Sequence, residues 1–238
     1  MDGHQRGTLF GKRPIGTVTY LGGVWATPEA FTWSWSQMIA FNFDYVCKPN
    51  ETIHYIRAPV SDHGPARNWI VSHAKGDWVL MLDTDHSFEP DLCARMLHRI
   101  NTFSIDVLTG LYRQKEPPYG PMIYRLPDKS DDGRKDGFQV ISAWDSKAQL
   151  IPVDSAGAGC LMVRRSVFHR IRDELHEKPF DRLEDLSEDH SFFVRLKRLG
   201  IEAWCDTRIE CWHLRAQRVT DGEANREYQA IQVRGLIG

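Results

Sequence analysis

Residues 77–86 read Asp77-Trp78-Val79-Leu80-Met81-Leu82-Asp83-Thr84-Asp85-His86, an apolar run that ends in two carboxylates. The run has no polar alternation, which predicts a strand buried on both faces, as in a parallel sheet. Two acidic groups spaced i, i+2 repel each other, and folding alone does not require them. A divalent cation would relieve this repulsion, because hard cations take carboxylate oxygens as ligands. A turn in which both side chains cap local backbone is the alternative.

Strand and helix patterns alternate around this run. Strands are predicted at 16–24, 52–58, 78–82 and 106–112, and helices at 28–43, 66–74 and 90–100. This alternation predicts an α/β fold with a mostly parallel central sheet that is flanked by helices. Ligands of such sheets bind beyond the carboxyl ends of the strands, where Asp83 and Asp85 are expected.

The pattern changes after residue 113. Segment 114–149 is rich in Pro and polar residues, and it predicts a small β region around a polar loop. Further strands are predicted at 151–154, 160–163, 201–205 and 209–212, with helices from 166 and over 187–199. We therefore expect a leader at 1–14, one domain at 15–214 with halves 15–113 and 114–214, and a C-terminal tail at 215–238.

Composition limits the classes of partner. Lys and Arg number 30 against 32 Asp and Glu, so bulk attraction to nucleic acid or to an anionic membrane is not expected. The basic residues between 113 and 135 leave a local patch for an anionic acceptor or a nucleic-acid backbone open.

Five cysteines are scattered without a Cys-x-x-Cys pair, which favours reduced, buried thiols over disulfides or a zinc site. Residues 1–14 lack the apolar core of a secretory signal, and no apolar stretch reaches the length of a bilayer span. We therefore expect a cytoplasmic protein without a transmembrane segment.

Four motifs, in their order along the chain, resemble the GT-A fold nucleotide-sugar glycosyltransferases of the family-2-like group. They are Ala66-Arg67-Asn68 ahead of Asp83-Thr84-Asp85, Gly110-x-Tyr112-Arg113, Ala156-Gly157-Ala158-Gly159 before an apolar strand, and Glu188-Asp189-His190-Ser191-Phe192. Each motif is weak by itself, and their order and spacing carry the resemblance. It implies transfer of a sugar, more often UDP-linked than GDP-linked, to an acceptor hydroxyl of a glycan, a lipid-linked molecule or a small molecule.

The resemblance also implies a cofactor, Mn²⁺ or Mg²⁺. Asp85 would bind the ion directly, and Asp83 would reach the ribose or the ion through water. His213, which follows a Trp late in the chain, would be a further ligand, with His86 as its rival. A half-buried histidine at a strand end is the alternative for His213.

For catalysis, the resemblance implies that Asp189 is the general base of an inverting transfer and that Glu188 orients an acceptor hydroxyl. Both could instead be favourable acids at a helix N-terminus that Ser187 caps. Asp185 is a second candidate for the base, and retaining transfer stays open.

On the donor side, the resemblance implies that Tyr20, Gly22, Arg67, Thr84 and Gly157 bind the nucleotide-sugar. Tyr20 could also be a core residue, Arg67 a solvated helix residue and Gly157 a turn glycine. Two other functions stay open, a nucleotidyltransferase and a non-catalytic nucleotide- or sugar-binding module on the same fold.

Overall fold

The computed structural model describes residues 12–21, 28–59, 62–126, 137–145 and 149–214. These residues form the strands β1 (Arg13–Leu21), β2 (Glu51–Ala58), β3 (Trp78–Leu82), β4 (His86–Phe88), β5 (Val107–Leu111), β6 (Ile123–Arg125), β7 (Gln139–Val140), β8 (Leu150–Val153), β9 (Ser155–Ala156), β10 (Cys160–Arg164) and β11 (Ala203–His213). The helices are α1 (Glu29–Phe41), which continues into a π-helical segment (Asn42–Val46), α2 (His63–His73), α3 (Leu92–Thr102), α4 (Arg165–Leu175) and α5 (Glu188–Arg198).

The central sheet has eight strands in the order β2-β1-β3-β10-β5-β11-β4, and β8 pairs with β11. β1, β2, β3, β5 and β11 run in one direction, whereas β4, β8 and β10 run in the other. A second, three-stranded sheet has the order β7-β6-β9. The predicted fold class is confirmed: a mostly parallel central sheet, flanking helices and a small separate β region.

Helices cover both faces of the sheet. The alternating residues of β3 divide between two apolar clusters, with Val79 and Met81 in one and Leu80 and Leu82 in the other. The first cluster takes side chains from α2, α4 and α5, and the second takes them from α1 and α3. This is why β3 is apolar throughout: neither of its faces meets water.

The structure differs from the sequence-based prediction in several elements. β10 runs antiparallel between β3 and β5, which the predicted strand-helix alternation did not indicate. β11 is one bulged strand rather than two, and the short strand β4 was not predicted.

The predicted leader also ends earlier than expected, because Arg13 and Pro14 belong to β1. Pro14 is tolerated there because it lies at the start of β1, beside a register shift in the pairing with β2. Residues 1–11 of the predicted leader and the predicted tail at 215–238 lie outside the described residues. Within the described ranges no helix combines the length and apolar character that a membrane span requires.

Candidate functional site

One edge of the central sheet gathers the motif residues. β3 and β5 end at this edge, and β10 begins there because it runs antiparallel to both. The N–H of Asp83 donates to the carbonyl of Gly159 over 3.0 Å, which ties the turn after β3 to the turn before β10. The first turn of α5 reaches the same place and carries Glu188 and Asp189. Four motifs that are far apart in sequence therefore meet.

A buried arginine lies at the centre of this edge. Arg67, on α2, is 2 % exposed, and its Nη1 donates to Glu188 Oε1 and to Asp189 Oδ1, each over 2.6 Å. Its Nη2 donates to Asp83 Oδ1 over 3.2 Å. Burial by itself would lower the pKa of Arg67, but the three carboxylates outweigh burial and raise it. Arg67 was predicted to contact the nucleotide, whereas here its guanidinium joins three carboxylates.

Asp189 has the environment of a base. Burial raises the pKa of its carboxyl to about 6, Glu188 and Asp83 add to the rise, and Arg67 and the N–H of Ala158 oppose it. Its side chain is still 20 % exposed, so a substrate can reach it. A carboxylate with a pKa near neutrality is ionised at pH 7 and still basic enough to accept a proton. The N-cap that was predicted at Ser187 is also present, since its Oγ accepts from the N–H of His190.

A second group at this edge can hold a metal ion. Asp85, His86 and His213 each offer one ligand atom, and these atoms lie within 4.8 Å of one another. β4 and β11 pair directly at His86 and His213, whose rings stack with centroids 4.2 Å apart. Burial, followed by the neighbouring His213, lowers the pKa of His86 to about 4, so this imidazole is neutral at pH 7 and able to bind a metal.

Contacts around the group orient its members. Nδ1 of His213 lies in hydrogen-bonding contact with the carbonyl of Arg113 and donates to it, so Nε2 is the ring nitrogen on the side of Asp85. Nε2 lies 4.0 Å from Asp85 Oδ2. Lys115, one of the basic residues between 113 and 135 noted in the sequence, lies 3.5 Å from the same oxygen. Asp83 is not a member of this group, and its predicted metal role stays a prediction.

Two glycines permit the close packing of the site. A Cβ on Gly157 would lie 1.9 Å from the hydroxyl of Tyr112, and a Cβ on Gly159 would lie 2.6 Å from His86 Cε1. Tyr112 is buried, and its hydroxyl accepts from the N–H of Gly159 over 3.0 Å. Side chains at these two positions would therefore displace the groups that the site brings together.

The remaining predicted residues lie at the periphery. Tyr20 is near the end of β1, next to β3, and packs against Phe31 and Trp35 with ring centroids 5.2 and 4.8 Å away. Thr84 is half-buried in the turn between β3 and β4. Gly22 lies outside the described residues.

Sequence reasoning gave too little weight to two residues. His86 was only a rival to His213, and its place in the short strand β4, where His86 and Phe88 are buried, was not evident from three residues of sequence. Tyr112 was part of a motif but received no role, and nothing in sequence spacing places its hydroxyl under the Gly157 turn.

The fold, together with the carboxylates clustered beyond the ends of the parallel strands β3 and β5, places this protein in the class of GT-A type α/β domains. A family model described as Glycosyl transferase family 2 matches residues 43–172, more than half of the chain. The chain therefore belongs to glycosyl transferase family 2, and this membership supports a glycosyl transfer function.

One solved structure agrees at the level of the fold. The crystal structure of A197 from STIV matches with a TM-score of 0.54 and 15 % identity, over 84 % of this chain and 85 % of that chain. At this identity the likeness concerns the fold alone. None of the curated proteins is significantly similar to this chain in sequence.

Proposed function

We propose that this protein transfers a sugar from a nucleoside diphosphate donor, preferably UDP-linked, to an acceptor hydroxyl with inversion at the anomeric carbon. The observation that carries the proposal is the position of Asp189, a carboxylate with a pKa of about 6 on the edge of the sheet where the acidic pair Asp83 and Asp85 ends β3. Family membership supplies the reaction class, and this carboxylate supplies the group that inversion needs.

In the proposed reaction, Asp189 accepts the proton of the acceptor hydroxyl while the oxygen attacks the anomeric carbon. Arg67 donates a 2.6 Å hydrogen bond to this carboxylate and holds it in place. The N–H of Ala158 donates a second hydrogen bond to it. Glu188, also bound to Arg67, is placed to orient the acceptor. The donor would lie over Tyr20, Asp83, Thr84 and Gly157.

The residues fit a divalent cation, Mn²⁺ or Mg²⁺. Asp85 offers carboxylate oxygens, and His213 offers Nε2 in the tautomer that a ligand requires. When bound, such an ion supplies positive charge that neutralises the diphosphate leaving group. The protein places Asp85 and His213 at the edge of the sheet where the donor is proposed to bind, and the carbonyl of Arg113 orients His213.

The five cysteines are all free, and four of them are buried. Reduced thiols are typical of a reducing compartment. We include a cytoplasmic location in the proposal on this basis, with fractionation of the native protein as its test.

Replacing Asp85 by Ala tests the donor side. We expect the affinity for UDP in the presence of Mn²⁺ to fall by about 100-fold or more, because loss of even an outer-shell partner of a metal costs 10- to 100-fold. Isothermal titration calorimetry of UDP with and without Mn²⁺ measures this. Asp106→Ala is the matched control, since Asp106 precedes β5 at the opposite edge of the sheet. Equal UDP affinity in Asp85→Ala and the unmodified protein would remove Asp85 from the proposal.

The raised pKa of Asp189 predicts a pH profile. A base must be ionised to accept a proton, so kcat/KM should be constant above pH 7 and fall by about tenfold per pH unit below pH 6. Initial rates between pH 5 and 8, with circular dichroism at each pH to verify folding, give this profile. A rate that stays constant down to pH 5 would show that no group with this pKa acts as the base.

Product analysis separates the alternatives. Incubation with a nucleotide-sugar should release nucleoside diphosphate, whereas a nucleotidyltransferase working in reverse with added pyrophosphate would release nucleoside triphosphate. A non-catalytic binding module would bind UDP with metal and release nothing against any acceptor, including water.

A further inference from the structure

We propose that the divalent ion is held directly by Asp85, His86 and His213, one carboxylate and two imidazoles, and that Asp83 is not a direct ligand. The site should consequently prefer transition-metal ions to Mg²⁺. This inference rests on the proposed function for the presence of a metal. It goes beyond that function in the ligands and in the class of ion that they select.

His86 carries the inference. Its side chain is fully buried, and neither ring nitrogen makes a hydrogen bond of good geometry among the described residues, the backbone of Asp83 being only a weak partner. Buried polar groups in native proteins are well paired in the great majority of cases, so an imidazole bound this weakly calls for a ligand. Nδ1 lies 3.5 Å from Asp85 Oδ1 without the geometry of a hydrogen bond. An ion between these two atoms would satisfy both.

The backbone fixes the two imidazoles as a pair. His86 and His213 are direct partners in the antiparallel register of β4 and β11, and their ring planes are within 25° of each other. The ring of Tyr112 is nearly perpendicular to both, with centroid distances of 4.7 and 5.5 Å. The absence of a Cβ on Gly159 leaves the room that His86 Cε1 occupies. Both rings are therefore held in place before any ion binds.

Asp83 forms an ion pair with Arg67. Its Oδ1 accepts from Nη2 of the buried Arg67, which also binds Glu188 and Asp189. Moving Asp83 towards an ion would remove one of the three carboxylates from an arginine that is 2 % exposed. The two acidic residues that look equivalent in sequence thus have separate tasks. Asp83 belongs to the arginine group, and Asp85 belongs to the histidine group.

The donor set decides the class of ion. Mg²⁺ takes oxygen ligands in near-ideal octahedral geometry, whereas imidazole suits Zn²⁺, Cu²⁺, Ni²⁺ and iron. Two nitrogens and one carboxylate should therefore bind Co²⁺ and Zn²⁺ more tightly than Mn²⁺, and Mg²⁺ most weakly.

The experiment titrates the full chain with Co²⁺, Mn²⁺ and Mg²⁺ separately, without nucleotide, by calorimetry and by visible absorption for Co²⁺. We expect the Kd for Mg²⁺ to exceed that for Co²⁺ by about 100-fold or more. His86→Phe keeps a ring of similar size but has no nitrogen, and it should weaken Co²⁺ binding by about tenfold or more. Asp83→Asn is the matched variant and should weaken Co²⁺ binding less than His86→Phe does, because it removes a negative charge near His86 but no ligand atom.

Pulsed electron paramagnetic resonance of the unmodified protein with Cu²⁺ covers the case in which His86→Phe does not fold. Coupling to the remote nitrogens of two imidazoles is expected, and coupling to one or none would overturn the inference. Equal affinities for Mg²⁺ and Co²⁺, or a larger loss in Asp83→Asn than in His86→Phe, would overturn it as well.

The two proposals can fail separately. Transfer that runs equally well with Mg²⁺, with Co²⁺ affinity unchanged in His86→Phe, would leave the proposed function standing and refute the ligand set. Two-imidazole coupling without release of nucleoside diphosphate would support the ligand set and refute the proposed function.

Discussion

Replacing Asp189 by Asn is expected to lower turnover by about 100- to 10,000-fold, the range that general base catalysis contributes. The amide has nearly the same shape as the carboxylate, and its oxygen can still accept from Arg67 and from the N–H of Ala158. What it loses is the capacity to take a proton from the acceptor. Affinity for UDP should therefore stay within about threefold of the unmodified protein, since the base does not hold the donor.

Asp185→Asn is the matched control, because Asp185 is an exposed acid four residues before Asp189 and was the second candidate for the base. Its turnover should be unchanged. Steady-state rates of nucleoside diphosphate release and calorimetric titration with UDP measure the two quantities. Full activity in Asp189→Asn, or loss of activity in Asp185→Asn, would assign the base to another residue.

Replacing Arg67 by Met is expected to have the largest effect on stability. Methionine fills a similar volume, but it leaves Asp83, Glu188 and Asp189 without their shared cation. Removing one partner from a buried ionic group costs about 3–5 kcal/mol, because the remaining charges stay desolvated without compensation. Urea denaturation at pH 7 should show the free energy of unfolding fall by about this amount.

The pH dependence of stability tests whether repulsion among the three carboxylates causes this loss. Repulsion among three carboxylates weakens when they are protonated, so the difference between Arg67→Met and the unmodified protein should shrink as the pH falls from 7 to 5. Arg170→Met is the control, since Arg170 forms an exposed i, i+4 pair with Glu174 and its loss should hardly change stability. A difference for Arg67→Met that is small at pH 7, or that grows at pH 5, would argue against repulsion as the cause.

The sequence was a good guide to local structure in this chain. The uniformly apolar run of β3 predicted a strand buried on both faces, and β3 is buried at every position. The strand-helix alternation predicted the layered α/β fold. Ser187 was correctly identified as an N-cap because a hydroxyl before a helix has a local partner three residues later. Signals of this kind depend on neighbours in sequence, so they are visible in the sequence itself.

Contacts between distant segments were not predictable in the same way. Arg67 and Glu188 are 121 residues apart, and His213 and the carbonyl of Arg113 are 100 residues apart. Arg67 was expected at the nucleotide because the family resemblance implied it, and a solvated helix residue was the alternative. Its burial beneath three carboxylates follows from the packing of α2 against α5, and neither helix encodes that packing alone.

The sequence by itself determined the strands and helices, the acidic pair at the end of β3 and the family to which the motifs point. These features follow from side-chain periodicity and from residue types at fixed spacing, which are properties of a local stretch of chain. The tertiary structure decided that Asp83 contacts Arg67 and that Asp85 lies beside His86 and His213. The pairing of β4 with β11 brings His213 to His86, and strand pairing between distant segments is a long-range property that no local pattern contains.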